Sequence, residues 1–161
     1  MSTPRLFIIV GRRGAGKSSA VRAMFPASIT DVWDRQQEYD LYRSFYTPDL
    51  EEAWEYVTTA ENRVIIIEEA SIWFSSRTRL SREMKGTIID LRHTNNVLVF
   101  VFHAISQIPD ELVSMTDCIV QYQTTDSPDT VKRKFRNWPE IRTGYEALKT
   151  APKYSYIVHE R

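Results

Sequence analysis

The sequence predicts an α/β fold, a mainly parallel sheet wrapped by helices. Three observations predict it. Short apolar runs alternate with helical patterns along the chain. The runs Val64–Ile67 and Val97–Phe102 are unbroken, as strands covered on both faces are. Three of the five glycines, Gly11, Gly14 and Gly16, crowd one connection between a strand and a helix. The 161 residues suit one domain, residues 1–161, rather than two. A hydrophobic share of 42% and an aromatic share of 12% supply a core and exclude a wholly disordered chain.

The elements follow in order. Leu6–Val10 reads as a buried strand and Lys17–Phe25 as a short helix stopped by Pro26. Ile29–Trp33 is a second, weaker strand. Thr47, Pro48 and Asp49 supply an N-cap, a proline at the first helical position and an acid in the first turn. Leu50, Ala53, Trp54 and Val57 then mark the buried face of that helix. Val64–Ile67 is the next strand, and Leu80, Met84, Ile88 and Leu91 recur at helical spacing. Val97–Phe102 and Cys118–Tyr122 are further strands. Ser127, Pro128 and Asp129 open a basic helix, and Tyr154–Val158 is the last strand. In a sheet of this kind ligands bind at the carboxyl ends of the strands.

Composition narrows the function classes. No stretch approaches the roughly 20 apolar residues of a membrane span. The apolar run Leu6–Val10 is too short for a signal peptide. The lone cysteine, Cys118, excludes an internal disulfide framework and a cysteine zinc cluster, and it fits a reducing compartment. Formal net charge is zero, but the charges are segregated. Residues 1–30 carry five bases and no acids, and residues 31–69 carry eleven acids against three bases. Residues 71–93 carry five bases against two acids, and residues 128–153 seven against three. A neutral chain of this kind can build a basic face, or the charges can intermix on folding.

Gly11, Arg12, Arg13, Gly14, Ala15, Gly16, Lys17 and Ser18 satisfy the phosphate-loop pattern G-x-x-x-x-G-K-S/T, with Ser19 next on the helix. The loop lies between a strand and a helix, as the pattern requires. Glycines let successive N–H groups point inward around phosphate oxygens, and the helix N-terminus adds its positive end. Lys17 reaches the β- and γ-phosphates of ATP, and the Ser18 hydroxyl holds Mg2+. Downstream, Val64–Ile67 ends in Glu68 and Glu69. Adjacent strand residues point to opposite sides, but a bend at the strand end lets both reach one pocket. We assign Glu68 to the metal and Glu69 to the attacking water. Val97–Phe102 runs into His103, with Gln107 a turn later, and either can sense the phosphate or orient water.

Together these residues resemble the FtsK–HerA superfamily of P-loop ATPases, over residues 5 to about 123. Two further stretches carry the resemblance. Asp34-Arg35-Gln36-Gln37-Glu38-Tyr39 looks like the family's D-x-x-G-E-Y motif, with Gln37 where the glycine is expected. Asp90–Asn96, followed by the apolar strand, looks like the family's arginine segment ahead of its sensor strand. Glu68 replaces the family's aspartate, and His103 stands in place of its glutamine. The resemblance implies a RecA/ASCE-like three-layer sandwich of core order 5-1-4-3-2. The small genome-packaging ATPases of membrane-containing icosahedral viruses and phages fit best. That implies an ATP-hydrolysing motor moving double-stranded DNA as a homo-oligomeric ring, in partnership with capsid-vertex proteins. Its place would be the host cytoplasm or the virion.

Arg92 is then the first candidate for an arginine completing a neighbour's site, with Arg77, Arg79 and Arg82 as alternatives. The run Lys132-Arg133-Lys134-Phe135-Arg136 is the candidate DNA contact, or a solvated or subunit-docking face. A zonular-occludens-toxin-like phage assembly ATPase is a second reading, although such proteins usually carry a membrane segment. A small-molecule kinase, with Arg77, Arg79 and Arg82 as its lid, is a third, and a non-catalytic nucleotide-dependent scaffold a fourth. The adjacent glutamates and the Asp34–Tyr39 segment argue against the kinase. Lys17 together with Glu69 argues against the scaffold.

Overall fold

The computed structural model describes residues 3–161. Its elements are β1 (Leu6–Val10), α1 (Lys17–Met24), β2 (Thr30–Trp33), β3 (Arg43–Phe45), α2 (Leu50–Thr59), β4 (Val64–Ile67), α3 (Arg82–Asp90), β5 (Val97–Phe102), α4 (Asp110–Met115), β6 (Cys118–Tyr122), α5 (Pro128–Lys134), α6 (Pro139–Lys149) and β7 (Tyr156–Glu160). The seven strands form one sheet in the order β3-β2-β4-β5-β1-β6-β7. All pairings are parallel except that of β6 with β7. Counting only β1, β2, β4, β5 and β6, the order is the expected 5-1-4-3-2. The full order differs from it by one added strand at each edge.

Period-two alternation sorts the core onto two faces. Leu6, Ile8 and Val10 of β1, with Leu98, Phe100 and Phe102 of β5, pack beneath α2 to α6. Ile9 of β1, with Val99 and Val101 of β5, packs against Ala20, Val21 and Phe25 in and just beyond α1. β1 lies between β5 and β6 in the middle of the sheet, so the loop leaving its carboxyl end opens beside the ends of two other buried strands.

Several boundaries shift by a residue or two from expectation, and two of the shifts have a visible cause. The α2 N-cap is Asp49, not Thr47, because Asp49 Oδ1 accepts from Glu51 N at 2.8 Å and Glu52 N at 3.4 Å. Thr47 instead donates to Glu52 Oε2 at 2.7 Å. The last strand begins at Tyr156, because Tyr154 has a left-handed backbone, φ 72°, that strand pairing cannot use. β3 and α4 are too short for periodicity to reveal. α6 is an addition to the expected elements although it carries a helical face, with Ile141, Tyr145 and Leu148 buried behind Pro139 at its start. The Ser127 cap and Pro128 start of α5 are as expected.

Asp31 on β2 is fully buried and ties the acidic edge of the sheet together. It accepts from Arg63 Nε at 2.8 Å and pairs with Arg43 Nε at 2.8 Å, and the Tyr56 hydroxyl donates to it. Burial alone would raise its pKa, but the Arg63 and Tyr56 hydrogen bonds and the Arg43 charge outweigh it and hold the carboxyl below its ordinary range. Its stabilisation is therefore full above about pH 4, the unfolded value, and is lost as pH falls through the lower folded value. Asp31→Asn should cost about 3 kcal/mol. That is the low end for a broken buried pair, because the Arg43 side chain is 63% exposed. Urea unfolding of the two proteins at pH 7 and pH 3 checks it: the gap should narrow in acid.

Candidate nucleotide site

The chain passes from β1 to α1 through Gly11–Gly16. Gly14 (φ 71°) and Gly16 (φ 104°) take left-handed conformations that glycine enters without penalty. Gly16 precedes the first turn of α1 and offers no side-chain cap, so the helix's leading N–H groups are left for a ligand in the loop. Gly11 is needed for another reason: a Cβ there would stand 2.4 Å from Tyr122 Cβ. Tyr122 also donates its hydroxyl to Gly16 O at 3.2 Å, so one side chain braces both ends of the loop. Gly11 N donates to Phe102 O and Arg12 N to Gln123 O, fixing the loop to β5 and to the end of β6.

Lys17 is 7% exposed and turns back across the loop. Its Nζ donates to Gly11 O at 2.6 Å, Arg12 O at 3.0 Å and His103 Nδ1 at 3.1 Å. Burial pushes its pKa down to about 8, opposed chiefly by the Glu68 charge. Holding the ammonium there costs on the order of 3 kcal/mol at neutral pH. An anion in the loop removes that penalty.

His103 follows the last residue of β5. Because Lys17 donates to Nδ1, the neutral ring carries its proton on Nε2. Burial, followed by the Lys17 and Arg13 charges, lowers the His103 pKa and favours this neutral form. Nε2 is buried, makes no hydrogen bond, and lies 3.8 Å from Glu69 Oε1. His103 thus joins the loop lysine to the second glutamate.

The two glutamates both line the cleft. Glu68 still continues the sheet, its N–H donating to Trp33 O. Glu69 turns left-handed, φ 49° and ψ 45°, and this bend brings adjacent side chains into one pocket. Burial raises the Glu68 pKa, and the nearby Asp34 charge adds to that. The Tyr39 hydroxyl donates to Glu68 Oε1 and also engages Ser18, so Glu68 and Ser18 share one neighbour. Glu69 Oε1 lies 3.8 Å from Arg13 Nη2 and accepts a long bond from Gln36 Nε2 at 3.4 Å.

The cleft holds about 400 Å³ and brings together Arg13, Gly14, Gly16, Lys17, Ser18, Ser19, Glu68, Glu69 and His103 of the predicted set. Gly11, Arg12 and Ala15 support it from within the loop. Gln107 is a correction. Its Oε1 accepts from His103 N at 3.2 Å and Ala104 N at 3.1 Å, capping the turn after β5, and it lies outside the cleft lining. Arg92 lies in the turn between α3 and β5, at the amino end of the strands, so it has no part in its own chain's cleft.

The run 132–136 does not form one basic face. Lys134 donates to Ile108 O and Asp110 Oδ1, both at 2.6 Å, with its side chain only 4% exposed. Lys132 borders the α5–α6 groove, while Arg133, Lys134 and Arg136 line a second cleft of about 630 Å³ with Arg77 and Arg161, where Lys134 is already neutralised by Asp110.

Sequence reasoning missed Asp34, Gln36, Glu38, Tyr39 and Tyr154 as cleft residues. The Asp34–Tyr39 motif was the available signal for four of them. Asp34 accepts from Gln36 N at 2.9 Å and Glu38 N at 2.6 Å, folding the segment into a turn. Gln37, at the family's glycine position, has φ 54°, which explains a glycine there.

By sequence, the chain matches no family model and no curated protein. By structure it is similar to the genome packaging NTPase of Sulfolobus turreted icosahedral virus 2 in complex with ATP-gammaS. That match has a TM-score of 0.78 and 16% identity, and covers 97% of this chain and 92% of that one. The DNA-packaging ATPase of Sulfolobus turreted icosahedral virus matches with TM-score 0.78 and 18% identity, over 99% of this chain and 94% of that one. The chain has the fold of a P-loop NTPase. A weaker likeness is to the N-terminal domain of zonular occludens toxin from Neisseria meningitidis, at TM-score 0.53 and 14% identity, over 77% of this chain and 79% of that one. At these identities the likeness is one of fold, carried by the TM-scores.

Proposed function

We propose that this chain is a magnesium-dependent ATPase of one P-loop domain, working as a homo-oligomeric ring that translocates double-stranded DNA into a viral or phage capsid. The carrying observation is Lys17, held among Gly11 O, Arg12 O and His103 Nδ1 and facing Glu68 and Glu69 across one cleft. A triphosphate takes over the lysine's donors and meets the free N–H groups at the start of α1. Ser18 and Glu68 are hard oxygen donors with a shared neighbour, and they fit magnesium. Magnesium keeps most of its ligands from phosphate and water, so one hydroxyl and one carboxylate from the protein suffice. Such an ion neutralises charge on the phosphates. Glu69 accepts the proton of the attacking water, and His103, whose unpartnered Nε2–H lies 3.8 Å from Glu69, is placed to relate that carboxylate to the phosphate through Lys17.

The match to packaging NTPases over nearly the whole of both chains favours DNA packaging, with capsid-vertex proteins as partners in the host cytoplasm or the virion. Among the described residues no helix is long and apolar enough to cross a membrane. The zonular-occludens-like assembly ATPase remains the second reading, on the weaker likeness. Phosphate release measured with and without double-stranded DNA separates the readings. A motor hydrolyses ATP faster with DNA, a kinase hydrolyses little without an acceptor, and a scaffold does not turn over.

For DNA contact we propose Arg133 and Arg136 with Arg77 and Arg161, gripping backbone phosphate without reading sequence. Arg133→Ala with Arg136→Ala should reduce the slope of log affinity against log salt by roughly 0.9 for each phosphate no longer neutralised. Lys134→Ala should leave the slope unchanged, because Lys134 is spent on Ile108 and Asp110. An unaltered slope in the double variant removes this cleft from the DNA path.

A further inference from the structure

We propose that Tyr154 is the nucleobase platform of the cleft, stacking its ring on the base of the bound triphosphate without selecting among bases. The proposal rests on the reading of the cleft as a nucleoside-triphosphate site, and goes beyond it by locating the base. Glu69 and His103 mark the end where the terminal phosphate reacts. The start of α1, at Gly16, Ser18 and Ser19, marks the end from which the nucleoside leaves, since the loop's N–H groups take the inner phosphates.

Tyr154 stands at that second end. Its Cδ1 is 3.3 Å from where a Cβ on Gly16 would lie, so the ring rests against the loop itself. The residue is 59% exposed although it lines the cleft. Its backbone, φ 72°, is one that a bulky residue adopts only when its surroundings hold it there, and such outliers cluster at ligand sites. The turn is closed by Ser155 N donating to Pro152 O at 3.1 Å, and β7 starts only at Tyr156. Residue 154 is therefore displaced from the strand and set over the loop.

The ring offers a face to a ligand. Lys153 Nζ sits 4.8 Å from its centroid, a flexible surface cation that a base can displace. The cleft's other aromatic, Tyr39, cannot serve. It is 3% exposed, covered by Arg22 at 4.9 Å and by Tyr42, and its hydroxyl is given to Glu68. The polar residues that could read a base edge, Asp34, Gln36 and Glu38, line the cleft with Tyr39, and Asp34 is consumed by backbone N–H groups. Gln36 is drawn toward Glu69 at the reacting end, at 3.4 Å, and stacking on a ring face reads no base edge, so it tolerates any base.

The test compares ATP, GTP and inorganic tripolyphosphate binding by calorimetry to wild type, Tyr154→Asn and Tyr154→Phe. Asparagine tolerates the left-handed backbone, so it removes the ring and keeps the turn. The expected result is that Tyr154→Asn weakens ATP and GTP alike by about 10-fold or more, the loss typical of one base–aromatic stack. Tripolyphosphate binding should stay within about twofold, and Tyr154→Phe should bind as wild type. Unchanged ATP affinity in Tyr154→Asn overturns the platform and leaves the phosphate site standing. Equal losses for ATP and tripolyphosphate also overturn it, by showing that the ring only braces the loop. A wild-type protein that binds neither ligand sinks the nucleotide reading itself.

Discussion

Glu69→Gln should bind ATP as well as wild type and hydrolyse it about 10²–10⁴-fold more slowly, the range a general base supplies. The amide keeps the shape of the side chain and can still meet Gln36, which reaches Glu69 Oε1 at 3.4 Å. It cannot accept a proton from water. Binding should survive because Lys17, the cation of the loop, is positioned by Gly11, Arg12 and His103 rather than by Glu69. Lys17→Ala should do the opposite and remove binding. The pH dependence gives a second handle. The phosphate needs a charged lysine, and burial leaves Lys17 in the free protein with a pKa of about 8. Below that pH the site is charged before ATP arrives. Above it, each further pH unit should weaken ATP about tenfold, because binding must first restore the proton. Calorimetry at pH 7.0 and 9.5, with single-turnover hydrolysis for the rate, checks both statements. A wild-type hydrolysis rate in Glu69→Gln would show that another group accepts the proton.

The parts of this site that were legible in the sequence are those that depend on neighbours along the chain. The loop is a run of eight residues whose glycines and lysine act on their own backbone, so pattern and structure coincide. The acid pair was half legible. Its place at a strand end and a bend there were both expected, but the means of the bend, a left-handed Glu69, was not legible, because glutamate does not announce a turn. Gln37 posed the same problem, since it holds a glycine's conformation without being glycine. Other contributors are set by distant partners. Tyr39 matters because Glu68 lies 29 residues away, and Tyr154 because the chain returns to the loop after all but one of the strands have been laid down. Lys134 and Gln107 show the reverse error. Each looked available in the sequence, and each is consumed in the fold, by Asp110 and by two backbone N–H groups. Edge strand β3 and helix α4 were illegible because three and six residues hold too little periodicity to register.

Mixing Arg92→Ala chains with Lys17→Ala chains should restore ATPase activity that neither variant shows alone. An arginine completing a phosphoryl-transfer site from a neighbouring subunit is worth about 10³–10⁵ in rate. The fold decides how Arg92 could supply it. Arg92 precedes β5, which runs parallel to β1, whereas the phosphate loop follows the carboxyl end of β1. Five or six strand residues, roughly 17–20 Å, separate those levels of the sheet. An arginine so placed is out of reach of its own cleft and can act only on another chain's. That makes complementation the decisive measurement. Arg92→Ala chains keep an intact loop with Lys17, and Lys17→Ala chains keep Arg92, so in the proposed ring a mixture would contain sites in which one chain holds the nucleotide and its neighbour supplies the arginine. Activity should peak near equal proportions and vanish at either extreme. Arg77→Ala serves as the comparison, because Arg77 faces the second cleft with Arg133, Arg136 and Arg161. It should lower DNA affinity and leave basal hydrolysis near wild type. No recovery at any mixing ratio would remove Arg92 from the role and move the search to Arg79 and Arg82, exposed arginines just before and at the start of α3.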